Sequence, residues 1–524
     1  MERGRVFPND VQEGSATRRE LSTVSAFRIP LAGPYTSRVS AVNASDSTSG
    51  YVGVGIVGLM VVGKSTQSTD KDARYINCFA QTVSDSISGK KKIYTVKRPG
   101  FGTQSTPAAG QKGYGVMVWT GQGTGQKIIS AFGETNSTVY DGTTSLGAIT
   151  GQCTGITETS INGTATICVT STDNTAWYYD TGVGVMTEIT DVDWPGDTET
   201  IAGTFAHMDG FAFIMTTRGR LWASDLNSVT AWTANNFDSA NSSPDQGVAA
   251  IKWRQYIMAF GTESLEFWAN AGLSPFPLAR ARAMTQKVGA VDADAIAQIA
   301  DTAWWCGSTP QGGMSIFQWD GNLSRVSTPE IDSILILAGA SNITLSTIRF
   351  FGRSFVLVKA GPTTIAYCVE EKMWHEWNST TPLWTKCAGQ SLAGTMVNYA
   401  VSNVSTSGKV YLMNHASLVF TDDTVAYTAR VQLPPQDFGT KKTKFYHDVE
   451  LVCDQETSAS TITLAYTDDD YTTYTTHGSS DLSNSRVRFT RLGSSRKRGW
   501  VWTHAANTPM RLEAMEGTVT VGNS

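Results

Sequence analysis

A chain of 524 residues is too long for one hydrophobic core of ordinary size, so two or three domains are expected. Apolar residues at 40% with 49 glycines exclude a largely disordered chain, and charged residues at only 17% leave much of the surface to Ser and Thr. A net charge of −5 excludes a protein that coats nucleic acid, which needs surplus Lys and Arg, but not one past which nucleic acid moves.

In chain order, residues 1 to about 35 are polar and aperiodic and read as an arm. The opening MERGRVFPND carries no secretory pattern. From 36 to 110 the apolar run YVGVGIVGLMVV, then INCFAQTV and KKIYTVKRPGF, predict a small β subdomain or an embracing set of strands leading into the propeller, so 1–110 is read as arm plus small β subdomain. The run from Tyr51 to Gly63 is too short and Gly-rich to cross a bilayer, and no membrane-spanning segment is expected. Gly58 to Ser65 formally matches the phosphate-loop pattern GxxxxGK[ST]. Its middle residues, Leu59, Met60, Val61 and Val62, are bulky where tight left-handed turns are needed, and no amphipathic helix follows. It reads as an apolar strand with a polar exit, and Lys64 is expected to do no phosphate chemistry.

Between 111 and 422 one event recurs. A strand-like run carries an aromatic residue with an acid-, Gly- or Asn-containing turn close behind it. The anchors are Tyr140, Tyr179, Trp222, Trp268, Trp319, Tyr367 and Tyr411, separated by 39, 43, 46, 51, 48 and 44 residues. A period of ~40–50 residues made of short strands predicts a β-propeller of about six blades. Propellers often close with strands from both ends of the array, so counted repeats overrun the blade number. Within repeats, GFAFIMTTRGRLWASD turns at Arg218 and Gly219, and YIMAFGTESLEFW at Gly261 and Thr262. VDADAIAQIADTA has some helical character, but it is read as an inner strand.

From 423 to 524 the pattern becomes alternation with period two, broken by polar turns about ten residues apart, which predicts a β-sandwich. The whole chain is therefore read as all-β.

Chemistry is scarce. Six His residues never fall at metal-ligand spacing, and no nucleophile elbow occurs, so neither catalysis nor a metal or cofactor is expected. Glu370 with Glu371, and Asp468 to Asp470, are paired acids, but they sit between alternating runs, where acids form turns. Seven scattered Cys without CxxC spacing read as buried hydrophobes of a reduced, cytosolically made protein. One basic cluster stands out: Arg486, Arg488, Arg491, Arg496, Lys497 and Arg498. Arg486 and Arg488 share a strand face and the last three lie in a turn. A solvated surface and a docking site for an acidic partner are the two readings.

Two blocks go beyond a generic propeller: LWASDLNSVTAWTANNFDSANSSPDQGVAAIKWRQYIMAFGTESLEFWANAGLSPFPLARA at 221–281 and WWCGSTPQGGMSIFQWDGNLSRVSTPEID at 304–332. With ARYINCFAQTV, YTVKRPGF and the C-terminal YTDDDYTTY and RLGSSRKR, they resemble the packaged-DNA stabilisation proteins of short-tailed phages. These are tail hub or nozzle subunits placed below the portal and adaptor. The resemblance covers most of 70–520. It implies a non-enzymatic homohexameric ring in the virion tail, made in the host cytoplasm. Its implied partners are the adaptor (head-to-tail connector), a tail fibre or spike, a plug or needle, and genomic DNA passing without sequence-specific binding. No catalytic residue carries over. The rival reading from another class is a carbohydrate-binding or polysaccharide-active propeller, with Trp and Asp at the blade mouths.

Overall fold

The computed structural model describes residues 24–31, 42–43, 74–84, 91–119, 127–182, 184–308, 313–379, 384–392 and 395–522. The apolar run at 51–63 and the phosphate-loop match at 58–65 lie outside them. Six four-stranded antiparallel sheets form, as the repeat predicts, and a seventh quartet completes the circle. In order the quartets occupy 113–148, 153–188, 201–239, 247–280, 296–325, 343–377 and 384–414, here blades 1 to 7. Blade 7 takes its fourth strand, Gly102–Ser105, from the N-terminal side, with Ser105 opposite Val410. The innermost strand of blade 7 packs on that of blade 1, so the ring closes on itself.

Every aromatic anchor falls on the third strand of its blade, from Thr138–Asp141 in blade 1 to Val410–Asn414 in blade 7. All but Tyr140 are buried. The physical reason is packing: a third strand is covered by its own sheet and by neighbouring blades, and a large ring fills that gap. Trp268 against Phe276 and Trp304 against Tyr367 show such edge-on and tilted contacts. VDADAIAQIADTA supplies the inner strand of blade 5, Ile296–Ile299, after a short 3-10 turn.

One element departs from the sequence reading. Pro329–Ala338, between blades 5 and 6, is an α-helix and not strand or loop. Its signals were present: Pro329 in the first turn, Glu330 and Asp332 at the positive end of the helix dipole, and Gly339 with φ 79° just past its end.

Blade 6 does not end at its fourth strand. Met373–Trp377 pairs in parallel with Arg74–Ile76, and the sheet runs on through Ala429–Gln432, Gly499–His504, Thr461–Thr467 and Thr475–Asp481. A second sheet, built on Arg511–Val521 between Val24–Pro30 and Lys444–Cys453, covers it. Trp500, Trp502, Met515, Val449 and Ile462 fill the space between the sheets. The N-terminal stretch, read as a small β subdomain or an embracing strand set, joins the sheets of the C-terminal region. Val24–Pro30, Arg74–Ile76 and Lys91–Lys97 pair with C-terminal strands and belong to the same two sheets. Pairing partners hundreds of residues apart leave no local pattern.

Two histidines are sealed inside. His375 has no partner on either ring nitrogen, and burial pushes its pKa down to about 3. His504 is held down to about 4 by burial and by neighbouring Lys97. Both folded values lie below the ordinary 6.5, so the unfolded chain takes up protons that the folded chain refuses. Stability is full above about pH 7 and is lost as pH falls through 6.5 towards 4. Together the two should remove about 4 kcal/mol between pH 7 and pH 5. Urea midpoints measured across that range should fall accordingly, and His375→Phe should flatten about half of the slope.

Candidate assembly surfaces and the propeller axis

The strand order gives the propeller two faces. One, the entry face, carries the connections from each fourth strand to the next blade. The other, the far face, carries the loops joining first to second and third to fourth strands.

At the entry face the axis is crossed by a side chain. Lys386, on the inner strand of blade 7, places its ammonium 2.7 Å from Asp294, which leads into blade 5. It also donates to the carbonyl of Thr154 on blade 2 at 3.2 Å. Blades 2 and 5 are not neighbours of blade 7, so Lys386 bridges the opening. Burial opposes its charge, but Asp294 outweighs this and holds its pKa above the ordinary lysine value. Nearby Lys359 is pushed the other way, by burial and then by Lys112. At the far face the channel widens to a cavity of about 560 Å³ lined by Glu158, Thr204, His207 and Lys252 among others. His207 Nε2 is buried there without a partner, and burial followed by Lys252 lowers its pKa. A lumen closed by one lysine–aspartate pair cannot admit a DNA duplex, whose major groove alone is ~12 Å wide.

The basic cluster divides. Arg486 and Arg488 do share a strand face, and each meets an acid on the adjacent strand: Arg486 pairs with Glu450, and Arg488 with Asp448 at 2.9 Å. Lys497 pairs with Asp470 at 2.7 Å. Arg498 is buried and belongs to the sandwich core. Its guanidinium grips Asp468 through two bonds of 2.7 Å, donates to the Leu492 carbonyl, and stacks on Tyr446, Tyr466 and Trp500. Arg491 and Arg496 are exposed, with no carboxylate within ion-pair distance among the described residues. The structure therefore does not bring the six cations into one free patch.

The paired acids hold turns. Glu370 accepts from the Ser354 amide, Glu371 from Thr82 and Arg353, and Asp469 from Thr467 and Thr473. Among the described residues no group of His, Cys, Asp and Glu could hold a metal ion, and no helix is long and apolar enough to cross a membrane. The described surface also exposes aliphatic side chains that the sequence reading passed over, Val185, Leu226 and Leu273. Each lies in the loop joining the third and fourth strands of its blade, in blades 2, 3 and 4. The available signal was an aliphatic residue in a turn segment rich in Asp, Asn, Gly and Ser.

Comparison with solved structures yields only loose likenesses. BamB from Moraxella catarrhalis aligns at 12% identity over 57% of this chain and 82% of that chain, with a TM-score of 0.35. The structure titled U3-55K aligns at 9% over 60% and 98%, TM-score 0.39. The RRP9 WD40 repeats align at 8% over 61% and 99%, TM-score 0.39. No curated protein sequence matches the chain. The family comparison is decisive: residues 65–398 match the phage-stabilisation model, described as bacteriophage P22 Gp10, beta-propeller. The matched span holds both long sequence blocks that carry the resemblance and every propeller strand up to the first half of Thr395–Ser402, leaving Val410–Asn414 outside. The chain belongs to this phage-stabilisation family and is a phage structural protein of the tail and DNA-stabilisation class.

Proposed function

We propose that copies of this chain, six by the family resemblance, form a ring below the portal and adaptor that prolongs the DNA exit channel. The family match over 65–398 carries this reading. The closed propeller axis supports one specific form of it. DNA runs between copies, around the ring's own axis, and each propeller is a rigid wall element. The charge balance suits a wall past which DNA slides. With 46 acids against 41 bases the chain offers no excess of cations to hold phosphates by counterion release. Retention then comes from a plug or needle at the distal end, with a fibre or spike attached outside, and the pressure of packed DNA drives exit without hydrolysis. The protein acts in the virion tail after synthesis in the host cytoplasm.

The test uses heads assembled without this protein. They should fill with DNA and then lose it, and purified chain added at once should make the DNA nuclease-resistant again. Heads that keep their DNA unaided would contradict the proposal. The far-face cavity, with its acid, imidazole, ammonium and hydroxyls, favours a second reading, a glycan-binding propeller. Specific binding on a glycan array would support it.

A further inference from the structure

Two exposed patches sit on opposite flanks of the molecule and differ in charge. The first is the far-face end of the sandwich. The fourth strand of blade 6 runs from far face to entry face, and Arg74–Ile76 runs parallel to it. Ala429–Gln432 is antiparallel to that strand and Gly499–His504 antiparallel again, so the residues just before Gly499 emerge on the far-face side. There, buried Lys444 ties two loops together by donating to the carbonyls of Thr440 and Arg496. The stapled loops present Lys441, Lys442, Arg491 and Arg496, all exposed, around a half-exposed Phe445. No ion pair neutralises these four cations among the described residues.

The second patch is the far-face rim of blades 2, 3 and 4. Val185, Leu226 and Leu273 project from equivalent loops, each more than half exposed. Between them Asp209 and Asp225 take hydrogen bonds from Asn270 and Thr233, uncharged donors that leave the carboxylates' charge in place. In a closed ring of seven blades, the sandwich leaves from blade 6, and blades 2 and 3 lie on the opposite side. The patches thus share a face and lie about half a turn apart.

We propose that the basic sandwich end of one copy docks on the acidic, apolar-tipped rim of blades 2 to 4 of the next copy. An aromatic anchor ringed by charge meeting aliphatic tips ringed by opposite charge has the anatomy of a specific interface. Because the two patches differ, the contact is heterologous, and a heterologous contact whose rotation closes builds a ring. The proposal rests on the ring reading above and names the surfaces that make it.

The test is a charge swap in the full chain. One variant carries Lys441→Glu, Lys442→Glu, Arg491→Glu and Arg496→Glu; the other carries Asp209→Lys and Asp225→Lys. All six positions are off the core, so circular dichroism and thermal midpoints should match the parent. Assembly is read by mass photometry in solution and by occupancy on heads made without the protein. Each variant alone should assemble at least tenfold less well, and the two mixed one to one should form alternating contacts that recover part of the loss. A single chain carrying both sets should recover most of it. If the parent forms rings and either single variant assembles equally well, this interface is wrong while the ring reading stands. If the combined chain does no better than the worse single variant, the pairing of these two patches is wrong. If the parent stays monomeric both free and on heads, the ring reading fails and this inference fails with it.

Discussion

Asp422→Ala is expected to lower the unfolding free energy by about 3–5 kcal/mol, because it strips the counterion from a buried guanidinium. Arg98 and Asp422 are both fully buried where blade 7 and the sandwich meet, joined at 2.5 and 3.1 Å. The guanidinium also bonds Asn77 Oδ1 at 2.9 Å and lies over the rings of Tyr427 and Trp377. Asn77 in turn bonds the carbonyl of Thr428 and accepts from the amide of Asn378, so one charge organises three chain segments. Burial opposes the charge on Arg98, and Asp422 more than restores it, raising its pKa above the ordinary value. Replacing both partners together, Arg98→Met with Asp422→Leu, should recover much of the loss, since no buried charge then lacks a partner. Arg98→Lys should not rescue, because an ammonium cannot reproduce the fork or the stacking. Urea unfolding of the three variants measures this, and an Asp422→Ala loss below about 1 kcal/mol would mean that water reaches the pair.

The second large effect separates residues that are neighbours in sequence. Arg498→Ala should destabilise the sandwich by about 3–5 kcal/mol, while Arg486→Ala and Lys497→Ala should leave the unfolding midpoint within scatter. Arg498 is enclosed by Tyr446, Tyr466 and Trp500 and satisfies the Leu492 carbonyl, so its loss leaves both a void and an unmet acceptor. The other two hold their acids in solvent. Equal effects at all three positions would contradict this division.

These cases show where sequence reasoning reached and where it stopped. The seven aromatic anchors were legible because each third strand meets the same packing demand, and a repeated demand leaves a period. The alternation of Arg486 and Arg488 correctly put them on one face, but the acids facing them, Glu450 and Asp448, come from a strand about 40 residues earlier. Arg498 looked like its neighbours because its partner Asp468 lies 30 residues earlier, at the end of a strand that meets its own only in the sheet. The three-residue strand Arg74–Ile76 joins propeller to sandwich, yet three residues carry no readable alternation. The crossing of the axis by Lys386 was equally invisible, since its contacts come from blades 2 and 5 and follow no spacing. The helix at Pro329–Ala338 has sequence signals in Pro329 and Gly339, but ten residues between two blades stand out little in a chain dominated by strand formers.

The central claim is that copies of this chain surround a DNA path lying between them, with each propeller closed. Electron-microscopy averages of tail vertices rebuilt from purified chain and DNA-filled heads test it most directly. The account predicts a ring of equivalent subunits with density for DNA on the ring axis and none through any propeller. Single copies scattered around the vertex, or DNA threading a propeller past Lys386, would contradict it.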